Sequence, residues 1–135
     1  MLQRIQTLYL MAAVLLTAAM FFTPLFQRTM ESPQGWIWIS MIFCAGFSAA
    51  LSIWAIMLYS QRKKQIKLIQ IGMIFQTLLF GSGLGIVFSL GGIGRYLWDE
   101  AIGAGLLLLA LVAMSMAVRG IKKDEELVRS MDRIR

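Results

Sequence analysis

Ser60-Gln61-Arg62-Lys63-Lys64-Gln65-Ile66-Lys67 sets four cations, with no acid among them, between two long apolar runs. Ammonium and guanidinium groups beside a hydrophobic segment hold that end of it on the cytoplasmic side of a membrane, because carrying them through hydrocarbon is costly. Upstream, Trp36 to Tyr59 carries no formal charge, and downstream Leu68 to Leu90 carries none either. About 20 apolar residues suffice for a helix to cross a bilayer, so the basic stretch reads as a hairpin joining two membrane spans. Trp36 and Trp38 stand at one end of the upstream run and Tyr59 at the other, at the headgroup depth that amphipathic rings prefer.

Two further runs flank this pair. The first passes from the segment around Arg4 through Leu8 to Phe26, longer than a signal-peptide core, and predicts a span over about 5–26. Pro24 is expected to mark its far end, since the residue before a proline is pushed out of helical geometry. A short loop over 27–35 follows, in which Arg28 and Glu31 cancel and Ser32-Pro33 turns the chain. Gly91-Gly92-Ile93-Gly94 then breaks the third run, and Arg95 to Glu100 forms a second loop. Asp99 and Glu100 lie where the dipole of a helix starting near Ala101 favours negative charge. The fold class that results is all-α, an integral membrane four-helix bundle over 1–118 with spans of about 5–26, 36–59, 67–90 and 101–118.

The cations divide unevenly between the two ends of such a bundle. Arg4, Arg62, Lys63, Lys64, Lys67, Arg119, Lys122, Lys123, Arg129, Arg133 and Arg135 gather on one side, leaving Arg28 and Arg95 on the other. This asymmetry predicts a multi-pass protein of a bacterial inner membrane with both termini cytoplasmic. Composition agrees: 59% of the residues are hydrophobic and 15% charged, against roughly 45–50% and 25% in soluble domains. The net charge of +6 sits beside apolar runs rather than on a basic domain with interleaved aromatics, so no nucleic acid partner is expected. Histidine is absent and Cys44 is the single cysteine, which leaves no internal disulfide and no thiolate or imidazole cluster; no metal and no cofactor are expected. Apart from Lys67 at the margin of the third, the four spans hold no Asp, Glu, Lys or Arg, which speaks against a proton-coupled transporter, a voltage sensor or a redox enzyme, and catalytic residues are expected to be lacking.

What polarity the spans do have is mild. Hydroxyls such as Thr17, Ser48, Ser82 and Ser115 ordinarily satisfy a carbonyl one turn back. Gln70 and Gln76 carry primary amides, and Gln76 in particular should face another helix. Gly81-Ser82-Gly83-Leu84-Gly85 has no strand before it and lies in an apolar helix, so it is no phosphate loop. Gly81, Gly85 and Ser89 at four-residue spacing instead make a groove that lets a helix approach closely, as do Ser40, Cys44, Ser48 and Ser52 on the second span and Ala110, Ala113 and Ala117 on the fourth. Such stripes most often pack a bundle's own core, and one of them left over would serve an outside partner. Beyond Val118, Leu127, Met131 and Ile134 fall at i, i+4 and i+7, while Lys122 with Glu126 and Glu125 with Arg129 make pairs of opposite sign. Residues 119–135 therefore predict a short cytoplasmic amphipathic helix, suited either to the inner headgroup surface or to a protein partner.

Two end motifs go beyond composition. Met1-Leu2-Gln3-Arg4-Ile5-Gln6-Thr7-Leu8-Tyr9-Leu10 and Lys123-Asp124-Glu125-Glu126-Leu127-Val128-Arg129-Ser130-Met131-Asp132-Arg133-Ile134-Arg135 resemble the two ends of a family of small four-helix inner-membrane proteins, typical of Bacteroidota and catalogued as domain of unknown function 4293. The resemblance implies a bacterial inner-membrane protein and carries no catalytic residues with it. Both motifs are cytoplasmic by the charge count, so Gln3, Arg4 and Gln6 are expected to meet Asp124, Glu125, Glu126 and Asp132, or to meet a partner jointly with them.

The function expected from these features is that of a non-enzymatic accessory or scaffolding subunit of a larger inner-membrane complex serving translocation, secretion or respiration. Its partners would be membrane lipids and other integral membrane subunits, contacted through Gln3, Arg4, Gln6, Gln76, Gly81, Gly85, Ser89, Glu125, Arg129, Asp132 and Arg133. The alternative is a small oligomeric transporter or channel with Gln76, Thr77 and Ser82 along its path; an enzyme acting on lipid is the weakest reading.

Overall fold

The computed structural model describes residues 2–31, 34–89 and 98–134, with side chains from Ile5 onward. The elements are α1 (Leu2–Met20), α2 (Pro24–Glu31), α3 (Trp36–Met57), α4 (Arg62–Ser89) and α5 (Trp98–Asp132). α1 packs on α3 and α5, and α4 packs on α3 and α5, so consecutive helices are neighbours around an up-and-down ring. α3, α4 and α5 are each long and apolar enough to cross a membrane, and α1 with α2 makes a fourth crossing if the bent pair is taken as one span.

The exterior suits lipid rather than water. Leu8, Leu15, Trp54, Ile74 and Leu109 are all more than half exposed, and apolar surface on that scale is unusual on a soluble monomer. Phe43, Phe47 and Phe75 stack along the outer seam of α3 and α4, with successive centroids 4.9 and 5.1 Å apart.

Inside, two apolar clusters lie one above the other. Leu10, Ala13, Ile69, Ala110, Met114 and Ile121 build one toward the Gln61 end, and Met20, Leu25, Met41, Leu79, Val87 and Leu107 build the other. Thr17, Ser48 and Gln76, all buried, fall between them in each helix, so a polar layer separates the two halves of the core. Two of the three small-residue stripes are spent here: Ser48 and Ser52 on α3 and Ala110, Ala113 and Ala117 on α5 are buried.

Several boundaries differ from those expected. Pro24 opens a helix instead of closing one: α1 stops at Met20, and α2 leaves at 49° to it with Pro24 in the first position, where a missing N–H costs nothing. The bend is held by the Thr23 hydroxyl donating to the Met20 carbonyl at 2.6 Å and by an edge-on contact of Phe21 with Phe26, centroids 4.8 Å apart. Residues 27–31, expected as loop, therefore form the end of an amphipathic helix that buries Leu25, Phe26 and Thr29.

The basic hairpin is likewise mostly helix. Only 58–61 make the turn, and α4 starts at Arg62, so its first turn carries cations against the helix dipole. Burial of Gln65, Ile66 and Ile69 in the next turns outweighs that conflict, as tertiary packing usually does for helices. The predicted Gly91–Gly94 break and Arg95 lie outside the described residues.

The tail is not a separate helix. α5 runs unbroken for 35 residues, a length of about 50 Å against about 30 Å of hydrocarbon. Ile121 and Asp124 still pack on the bundle, after which Leu127, Met131 and Ile134 are exposed. A helix continuous with a span projects away from the bundle along the span's axis, which is a poor geometry for lying flat on a membrane.

Candidate functional site

Gln76 is fully buried at the centre of the ring and touches all three other long helices. Its Oε1 accepts from the Ser48 hydroxyl at 2.9 Å, and its Nε2 points at the Leu107 carbonyl at 3.5 Å. A carbonyl can only accept, which sets the amide with nitrogen toward α5 and oxygen toward the hydroxyls. Thr17 has one proton, and it goes to the Ala13 carbonyl at 2.8 Å, so its 3.3 Å approach to Oε1 is the weaker branch. Gln76 thus has no surface to offer a partner, contrary to its expected role in partner contact. Of the residues expected along an oligomeric path, Gln76 faces the interior, Ser82 is half-buried and Thr77 is exposed.

The N-terminal segment and the tail do come together, through Gln6. Its Nε2 donates to Asp124 Oδ2 at 2.9 Å, and both side chains are buried. Gly120 makes room for this: a Cβ there would sit 3.2 Å from Gln6 Cγ. Gln3 and Arg4 lie on α1, with side chains outside the described residues. Glu125 is half-buried, and Arg129, Asp132 and Arg133 are exposed along the projecting end of α5. The i,i+4 pairs expected in the tail do not form; among the described residues both ion pairs belong to Arg28.

Arg28 organises the opposite end of the molecule. Its Nε lies 3.3 Å from Glu100 Oε1 on α5 and its Nη1 3.5 Å from Glu31 Oε2. Glu100 is 3% exposed, and its Oε2 has no hydrogen-bond partner among the described residues. Sequence reading paired Arg28 with Glu31 alone. The partner 72 positions away has no local signal, although an acid in the first turn of a helix near an interfacial arginine is the combination to look for.

Beside Arg28 a cleft of about 580 Å³ opens between α2, α3 and α4. Arg28 and Glu31 stand at its mouth, Trp36 and Ile37 form one wall, and Gly85, Ile86 and Ser89 form the other. The serine hydroxyls of this wall are engaged locally, Ser89 donating to Ile86 and Ser82 to Leu79, each at 2.8 Å. A Cβ added at Gly81 or Gly85 would meet nothing within 4 Å. The third small-residue stripe is therefore exposed, and its half from Gly85 to Ser89 forms a cleft wall. Among the described residues no group of three or more His, Cys, Asp or Glu is placed to hold a metal ion.

No curated protein and no protein of solved structure matches this chain. A family model does, over residues 2–134, nearly the whole length, and the chain belongs to that family, described as Domain of unknown function (DUF4293).

Proposed function

We propose that this protein is a non-enzymatic accessory or scaffolding subunit of a larger bacterial inner-membrane complex, with both termini cytoplasmic. The observation that carries the reading is the contrast among its small-residue stripes. Those on α3 and α5 are consumed by the bundle, whereas Gly81 and Gly85 on α4 face open space and leave helix backbone accessible to a close neighbour. The projecting end of α5, with Leu127, Val128 and Met131 exposed, adds a second unpartnered surface on the side where the cations gather. The polar layer supports the same reading, since Gln76 is engaged by Ser48 and Thr17 within the bundle.

The test is purification of a tagged chain at native expression in mild detergent, with a photo-crosslinking residue at Gly81. A stoichiometric membrane partner crosslinked from that position supports the proposal. A homo-oligomer that alone mediates uptake into liposomes overturns it in favour of a small transporter.

A further inference from the structure

We propose that the cleft between α2, α3 and α4 is a binding site for an ethanolamine phospholipid, with the phosphate on Arg28, the ammonium on Glu31 and the upper acyl region against Trp36, Ile86 and Gly85. The site shares Gly85 with the open stripe on which the proposed function rests, while Gly81, one turn away, lies outside its lining.

Volume and chemistry both favour this occupant. About 580 Å³ is the size of a small-molecule site, and the cleft combines a charged mouth with apolar walls. Its depth matches, because Trp36 starts a span and α2 turns away from α1 to present Arg28 and Glu31 on its exposed side. An amphiphile standing in the membrane would meet charge at its head and hydrocarbon below, in that order.

The headgroup follows from the charges. Arg28 has five N–H donors in a planar fork, and its two ion pairs, at 3.3 and 3.5 Å, use only Nε and Nη1. Nη2 is not engaged among the described residues, which leaves donors for a phosphate oxygen. Arg28 already faces two carboxylates, Glu31 and Glu100, so a lipid with net negative charge would add repulsion. A zwitterion brings its own cation to Glu31, whose side chain is 69% exposed. A primary ammonium donates three hydrogen bonds, and the quaternary head of a choline lipid donates none, so ethanolamine is preferred over choline as well as over glycerol.

The open face of Gly85 supplies a variant, because Gly85 lines the cleft and a Cβ added there meets nothing within 4 Å. The full-length chain is to be delipidated in detergent and titrated, by native mass spectrometry, with ethanolamine, glycerol and choline phospholipids of identical chains. The wild type should hold the ethanolamine lipid about fivefold more tightly than the other two, the scale of one partly exposed ion pair. Glu31→Gln should bring the ethanolamine and glycerol lipids to parity. Gly85→Leu should abolish the bound lipid, while Thr77→Leu, elsewhere on α4, should retain it. Equal retention of all three lipids by the wild type would mean annular lipid only, and undiminished ethanolamine lipid on Gly85→Leu would place it elsewhere; either result overturns the site. Glu31→Gln leaves the packing untouched and so tests the headgroup assignment even if Gly85→Leu proves unstable.

Discussion

Gly103 and Gly85 sit on adjacent helices toward the same end of the bundle, and their surroundings are opposite. A Cβ at Gly103 would come within 2.7 Å of both Leu25 Cβ and Thr23 Oγ1, while one at Gly85 would meet nothing within 4 Å. The difference comes from the bend after Met20. It brings Thr23 and Leu25 down onto α5, where only a glycine allows the approach, whereas the stretch of α4 around Gly85 borders the cleft. One glycine is there to be filled and the other to be left open.

The strongest way to break the filled side is Gly103→Leu. Leu25 Cβ is fixed to the α2 backbone and cannot step aside, so the substitution should destabilise the fold by about 3 kcal/mol. A fall in thermal midpoint in detergent, larger than for any other variant here, checks it. Next is Gln6→Leu, which leaves the buried Asp124 carboxylate without its donor; about 2 kcal/mol is expected, read from denaturant unfolding of the solubilised protein. Unchanged stability would mean that Asp124 finds water or another partner at that end.

Gln76→Leu keeps the volume but removes the amide from the polar layer. Ser48 can turn its hydroxyl to its own helix, so the cost should be about 1 kcal/mol, with a Ser48→Ala, Gln76→Leu double-mutant cycle showing a coupling of about 0.6 kcal/mol. The smallest effect sharpens the open side. Gly85→Ala should stabilise by about 0.5 kcal/mol, through helix propensity alone, and a measurable loss in the same thermal assay would show that the protein's own atoms close on that position.

Much of this architecture was readable from composition and period. The chargeless run from Trp36 to Tyr59 became α3 within two residues at its C-terminal end, because apolar length is what a bilayer demands and the chain supplies no competing signal. Pro24 is ambiguous in sequence, because the same ring that ends one helix is also favoured in the first position of the next, and only the packing of Leu25 and Phe26 on the bundle selects the second role. The rise in charge density at Arg119 suggests an independent tail helix, yet backbone hydrogen bonding continues past a change in solvent, and Gly120 is tolerated where Gln6 packs over it.

The sequence by itself determined that this chain is all-helical, that its helices suit a membrane, and that Gln76 must be enclosed, since these follow from hydropathy and from the cost of an unpaired amide in hydrocarbon. Only the tertiary structure decided which of three equivalent small-residue stripes would stay open, and that Arg28 would reach Glu100 across the fold. Stripe spacing reports that a helix can be approached closely, whereas the packing of the long helices on one another determines which stripe is covered.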